Sequence, residues 1–312
     1  VTREPNSNET NEPAEAIAAM SHGPAATPAG LATLLGFAAI LLWSTLATLT
    51  ALKGPAIPPF QTTAITFAVG GLLLLAIALA RGRAAALLPP PAAFALAIYG
   101  LFAYHALYFA ALRLAPPAEA NLVASLWALL TVLFSGLLPG GRLGLHHVGG
   151  ALLGLAAAAI LVTGADAGSI ASGGGRTLGL ALALACAFVW ASYSVLSRLV
   201  AATPSESLAL PCLVTAGLAL ACHVALETWV APSPRAWFAL SLLGIGPVGA
   251  AFMLWDIGMK QGRIAVLGVL AYASPVISTL MLVALGLAEP SLRLAIACGL
   301  MTAAAVVVLR RA

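Results

Sequence analysis

Apolar residues in this chain come in blocks of about twenty, divided by short clusters of proline, glycine and charge. A helix needs roughly 20 mainly apolar residues to cross a hydrocarbon core about 30 Å thick. The blocks predict ten such segments, at 32–52, 60–80, 92–112, 118–138, 146–165, 177–199, 207–226, 236–256, 263–287 and 291–309. Gly54, Pro55, Pro58 and Pro59 separate the first pair, and Arg81, Gly82, Arg83 and the prolines at 89–91 separate the second. Pro116-Pro117, Pro139-Gly140 and Gly173–Gly175 punctuate later boundaries. Proline lacks an amide donor and glycine costs backbone entropy, so such clusters end helices.

The chain states this plan twice. Trp43 recurs 147 residues later as Trp190, Gly70 as Gly217, Arg113 as Lys260, and Tyr108 as the aromatic Trp255. With five segments per copy, the second copy enters the bilayer upside down. The predicted fold is therefore an all-α multi-pass membrane protein, with ten transmembrane helices arranged as two inverted five-helix repeats. The copies occupy 30–165 and 177–312, joined by a linker at 166–176. Residues 1–29 are polar, acidic and proline-bearing, and they lack the charged start and apolar core of a signal peptide. They are expected to form a disordered cytoplasmic tail.

Composition makes the bilayer reading firm. Hydrophobic residues are 62% of the chain and charged residues 8%, against about 25% charged in soluble domains. The mean hydropathy is +1.04. The net charge of +4 is dispersed among loops, with no basic stripe for a nucleic acid to follow. With the N-terminus inside, nine cations fall on the cytoplasmic side (Arg3, Arg81, Arg83, Arg142, Arg198, Lys260, Arg263, Arg310, Arg311). Five fall outside (Lys53, Arg113, Arg176, Arg235, Arg293), which favours both termini in the cytoplasm. Cys186, Cys212, Cys222 and Cys298 show no metal-binding spacing and read as small apolar residues. No metal and no cofactor is expected. Small residues at Gly150, Gly154 and Ala158, and at Ala295, Gly299 and Ala303, suit close packing within one molecule, so a monomer is expected.

Polar groups deep in the membrane are the functional candidates, because leaving them in lipid is costly. His105 falls near the middle of segment three, among Tyr99, Tyr104 and Tyr108. Segment four carries Asn121, Ser125, Thr131 and Ser135 on one broad arc, and segment nine answers with Tyr272, Ser274, Ser278 and Thr279. Asn121 is the most demanding, with four hydrogen-bonding sites to satisfy. Trp43 and Trp190 lie mid-membrane rather than at headgroup depth, so they either pack the core or line a cavity. Ser194 stands one helical turn beyond Trp190. Pro247 and Pro275 interrupt segments eight and nine, with Gly100 and Ala128 at the matching first-copy positions. Gly100, Pro247 and Pro275 are the candidate hinges. Asp256 lies four residues before Lys260 and is expected to pair with it along one helix face. Glu119, Asp166, Glu227 and Glu289 fall at predicted outer ends or loops.

The order and spacing of several motifs resemble the drug/metabolite transporter superfamily and its EamA repeat. LLWST at 41–45, FVWAS at 188–192 and YASPVISTL at 272–280 carry the resemblance. So do ALYFAALRLAPPAEANLVASLW at 106–127 and FMLWDIGMKQGRIAVLGVLAY at 252–272. SLWALLTVLFSG at 125–136 is similar to the fourth-helix segment of the YddG-type aromatic amino acid exporters. Those carry Trp-Pro where this chain has Trp127-Ala128, and Pro275 fills the matched position of the second copy.

The resemblance implies a secondary transporter of a bacterial inner membrane, exporting Phe, Tyr and Trp and related small metabolites. It favours a cavity setting for Trp43 and Trp190 and adds Trp127 to the site. An exporter of another neutral or zwitterionic metabolite or drug is the main alternative. No midplane carboxylate is predicted, so transport is expected to run downhill. A channel lacks its rings of charge or filter carbonyls, and an enzyme its catalytic constellation.

Overall fold

The computed structural model describes residues 27–115, 117–141, 143–162, 174–286 and 290–309. The tail before residue 27, linker residues 166–173, Asp166, Glu289 and the counted cations Arg3, Arg142, Arg310 and Arg311 lie outside the described residues. Every regular element among the described residues is helical.

Helix α1 (Ala29–Ser44) and α2 (Leu46–Lys53) form one rod interrupted at Thr45, and α3 (Pro59–Ala80) follows. α4 (Pro91–Ile98) and α5 (Tyr104–Leu114) flank a π-helical turn at Tyr99–Ala103. α6 (Pro117–Ala124) and α7 (Leu126–Ser135) meet at Ser125, and α8 (Leu145–Val162) closes the first copy. The second copy runs through α9 (Gly174–Leu196), α10 (Ala209–Leu226) and α11 (Pro234–Leu243). A π-helical turn at Gly244–Ala250 leads into α12 (Ala251–Gln261). α13 (Ile264–Leu270) and α14 (Ala273–Ala284) are separated at Ala271-Tyr272, and α15 (Leu292–Leu309) ends the described chain.

Local chemistry sets these boundaries. α3, α4 and α11 begin on Pro59, Pro91 and Pro234, where the missing amide would be unpaired anyway. Ser233 caps α11 by accepting from the Ala236 amide at 3.2 Å. Gly54 ends α2 with a φ of 84°, a conformation that a side chain would strain.

Among the described residues, seven helical stretches are long and apolar enough to cross a membrane: Ala29–Lys53, Pro59–Ala80, Pro91–Leu114, Gly175–Val200, Ser205–Leu226, Pro234–Gln261 and Ile264–Ala284. This is an all-helical, multi-pass membrane protein. Three further apolar helices, Leu126–Ser135, Leu145–Ala157 and Leu292–Val308, overlap the other predicted segments but are shorter. In the fourth segment the break at Ser125 is the reason: it leaves a helix of only ten residues in α7.

Packing is reciprocal between the halves. α1 lies along α12, while α9 lies along α5. α3 packs along α10 in the opposite direction, and α8 along α15. The antiparallel pair is tied at both ends. Glu227, just past α10, accepts from the Phe60 and Gln61 amides at the start of α3, each at 3.1 Å. A carboxylate there also meets the positive end of the helix dipole. At the far end Arg81 and Arg83, past α3, reach Glu206 at 3.0 and 2.8 Å.

The α1–α12 crossing is set by glycine. A methyl group on Gly258 would sit 2.8 Å from the Gly36 Cα, and one on Gly36 would sit 2.7 Å from the Leu267 side chain. Gly70 likewise lies against the Gly244 carbonyl and the Gly249 amide of the second π-helical turn, whereas nothing lies within 4 Å of a methyl on Gly217. The Gly258→Val variant is expected to lose about 1–3 kcal/mol of stability through overpacking. Gly217→Val is expected to melt like the wild type in detergent, followed by intrinsic tryptophan fluorescence.

Candidate functional site

A cavity of about 1020 Å³ lies between the two halves. It is lined by α1–α2, α3, α5, the Ser125 break, the second π-helical turn and the Ala271-Tyr272 break. At its mouth stand the exposed Leu46, Ala47, Thr50, Ala51 and Pro55, so it opens at the Lys53–Pro59 end. A bilayer tolerates interrupted helices where they face protein or a watery cavity, which is where these breaks fall.

Tryptophans floor the cavity. Trp43 meets Trp190 at 5.6 Å, Trp127 at 6.5 Å and Trp255 at 5.1 Å between ring centroids. Trp127 meets Trp190 at 6.3 Å and Trp255 at 5.8 Å. Most of these contacts are edge-on or tilted, the arrangement that ring quadrupoles prefer. Trp255 lies behind the floor, 1% exposed, and donates its indole N–H to Ser194 Oγ at 3.1 Å. Trp43 donates to the Pro247 carbonyl at 2.9 Å. The Ala251 amide is directed to Gly246 and Val248, so the π-helical turn frees the Pro247 oxygen from its usual amide four residues on.

The walls combine rings with hydroxyls. Tyr104 meets Trp190 at 5.1 Å and stacks on Tyr108 at 6.0 Å. Tyr108 donates to the side-chain oxygen of Asn121. His105 packs edge-on against Phe67 at 4.9 Å, and its Nδ1 lies 2.7 Å from the Leu101 carbonyl. A carbonyl can only accept, so Nδ1 carries a proton there. Ser125 donates to the Asn121 carbonyl at 2.7 Å. Tyr272 supplies its hydroxyl as acceptor to the Leu129 amide at 3.2 Å, in the first turn of α7 after the Ser125 break.

The structure brings Trp43, His105, Tyr108, Asn121, Ser125, Trp127, Trp190, Tyr272 and Ser274 to the cavity, with Pro247 and Pro275. Tyr99 stands outside the lining and exchanges a hydrogen bond with Ser192 at 2.9 Å. Ser194 also stands outside it, fully buried under Trp255. Gly100 lies in the first π-helical turn, pressed so closely by the Tyr193 ring that a methyl would sit 2.2 Å from it.

Tyr104, expected in the sequence as part of an aromatic wall with His105, does line the cavity beside Trp190. Other lining residues were not singled out by the sequence. Phe252 flanks Trp190. Thr62, Thr63, Thr66 and Phe67 show that α3 also lines the cavity. Trp255 had a signal in the sequence, its repeat relation to Tyr108. The threonines had only their spacing along a helix otherwise uniformly apolar.

Below the tryptophan floor the opposite end is closed by buried charge. Asp256 pairs with Lys260 at 2.7 Å, both side chains 4% exposed or less, and accepts from Ser205 at 2.6 Å. Lys260 also donates to the Thr203 carbonyl at 2.8 Å. Arg198 donates to the Met259 carbonyl at 3.0 Å and to that of Gly262, covering the end of α12.

Matches to known proteins agree with this layout. The model of the EamA-like transporter family fits the chain twice, over residues 30–163 and 177–310. The chain belongs to that family. Among relatives of this EamA-like chain is the aromatic amino acid exporter YddG of Ancylobacter novellus, 53% identical over 277 residues, covering 88% of this chain and 96% of that protein. The exporters of the same name from Salmonella typhimurium and Escherichia coli are each 29% identical. Those alignments cover 83% and 80% of this chain, and 89% and 86% of the two relatives. A crystal structure of a chain 52% identical superposes with a TM-score of 0.87, over 91% of this chain and 98% of that one.

Removing one partner of a buried ion pair strands the other charge and costs about 3–5 kcal/mol. Asp256→Asn is therefore expected to lower the melting temperature of the detergent-solubilised protein by several degrees. Asp256→Asn combined with Lys260→Met is expected to recover most of that loss, and an equal loss in both variants would remove the pair as its cause.

Proposed function

We propose that this EamA-like chain exports aromatic amino acids by alternating access. The observation that carries the reading is the cavity floored by Trp43, Trp127 and Trp190 and open at one end. Its volume of about 1020 Å³ is at the upper end of small-molecule sites, about 300–1000 Å³. The aromatic amino acid exporters among its relatives support the same cargo.

A flat ring gains about 0.5–1.5 kcal/mol from each aromatic contact beyond burial. Such modest increments hold a substrate while leaving it free to depart. The substrate's polar end falls among Tyr108, Asn121, Ser125 and Ser274. His105 faces the same space and is the one histidine among the described lining residues. The described lining also holds no Asp or Glu, which supports downhill export without a carboxylate proton relay.

Alternating access follows from two inverted copies of five spans, ten in all, over 30–165 and 177–312. The antiparallel run of α3 and α10, and the exchange of α1–α12 for α9–α5 packing, support that plan. Transporters of this design place the substrate between the repeats and rock them about it. Both π-helical turns and both breaks of segments four and nine sit at repeat-related positions, 99–103 with 244–250 and Ser125 with Tyr272. They supply flexible joints around Gly100, Pro247 and Pro275. With both termini in the cytoplasm of a bacterial inner membrane, the Lys53 end faces outward and the cavity is open to the exterior.

Proteoliposomes loaded with labelled Phe or Trp are expected to release it down its gradient. Trp190→Ala and Asn121→Ala are expected to slow release at least about tenfold, the loss of one strong contact. Release that is absent, or equal in all three proteins, overturns the assignment. A cysteine at Thr50 is expected to react with an impermeant maleimide added outside intact cells and one at Thr203 not to react. The reverse pattern would overturn the outward-open orientation.

A further inference from the structure

The cavity floor holds hydrogen-bond donors that the protein does not use. An indole nitrogen can donate but not accept. Of the four clustered indoles, Trp43 donates to the Pro247 carbonyl and Trp255 to Ser194. Trp127 and Trp190 both line the cavity, and neither indole N–H has an acceptor among the described residues. Trp190 is 4% exposed as a whole residue and lines the cavity, and its nitrogen is not among the sealed unpaired atoms, so the donor is open to the cavity. The Asn121 amide adds another: its oxygen is taken by Tyr108, and its NH₂ group has no acceptor among the described residues. Tyr108 stacks on Tyr104, and Tyr104 abuts Trp190, so the three donors belong to one continuous wall. Lys53, the formally charged residue among the described lining side chains, is at the mouth and already donates to the Ile57 carbonyl at 3.0 Å.

We propose that the indole N–H groups of Trp127 and Trp190 and the amide of Asn121 form a carboxylate-recognition site that makes a free carboxylate a requirement for binding. The inference rests on the export reading and sharpens it to a rule about which part of the substrate is recognised. Donors that face an apolar-walled cavity without a protein acceptor are satisfied by an anion that enters it and displaces water. An amine or amide with the same ring leaves them unsatisfied, and sites built to pair with a polar group discriminate strongly against analogues that lack it. The donors are neutral, so they hold a carboxylate without the fixed cation that would retain it.

The test uses the purified full-length protein and labelled L-Phe, with 3-phenylpropionate, phenethylamine and L-phenylalaninamide as competitors. Against wild type, 3-phenylpropionate is expected to displace Phe at least roughly tenfold better than phenethylamine or the amide, as one charge-assisted bond would dictate. Trp127→Phe and Trp190→Phe are each expected to weaken Phe binding by a similar factor and to weaken phenethylamine, which shares only the ring contacts, by clearly less. Replacing Trp190 with benzothienylalanine, which keeps the ring volume and lacks the N–H, is expected to do the same if the donor rather than the packing matters. Phe bound and transported with wild-type affinity by that isostere, or an amide that competes as well as Phe, overturns the carboxylate site alone. A wild type that neither binds nor transports Phe overturns the export reading and this site together.

Discussion

In hydrocarbon a helix can be interrupted only where other groups take up the backbone amides and carbonyls it releases. That constraint organises this molecule. The interruptions at Ser125 and Ala271-Tyr272 and the second π-helical turn line one cavity, and the break at Thr45 falls between its lining residues Trp43 and Leu46. The released groups are answered by side chains from elsewhere in the chain. Trp43 binds the Pro247 carbonyl and Tyr272 receives the Leu129 amide. The same residues that satisfy the broken backbone therefore shape the space in which a solute rests.

Glycine does the complementary work away from the cavity. At Gly36–Gly258 the helices meet almost backbone to backbone, and Gly70 lets α3 lie directly on the second π-helical turn. Close approach brings weakly attractive atoms into full contact, which matters where lipid offers no hydrophobic drive between helices. It also fixes which helices are neighbours, and hence which aromatic rings can meet at the centre.

Much of this was legible in the sequence because the bilayer imposes a period, a length and a polarity that pattern reading detects directly. Trp43 and Trp190 stood out by depth, Asn121 by its hydrogen-bonding demand, and Pro247 by its missing amide. Trp255 and Phe252 were harder to see as wall-builders, because an aromatic residue inside an apolar segment looks the same facing lipid or a neighbour. Tyr99 and Ser194 shared a helix with true lining residues, yet their side chains are engaged with Ser192 and Trp255. Helix phase near a π-helical turn shifts by more than a regular spacing can anticipate. The unequal surroundings of Gly70 and Gly217 were also invisible. Two copies matched in sequence need not be matched in packing, and an asymmetric state requires that they differ.

Glu227 takes the first amides of α3, the imidazole of His223 at 2.9 Å and the guanidinium of Arg113 at 3.4 Å, while Gln61 exchanges two hydrogen bonds with Val230. With the Glu206 knot at its other end, the α3–α10 pair is pinned like a strut between two rivets. A strut so fastened travels whole. Whatever shape change admits and discharges a passenger must bend the members around it, and the interrupted helices are the compliant ones.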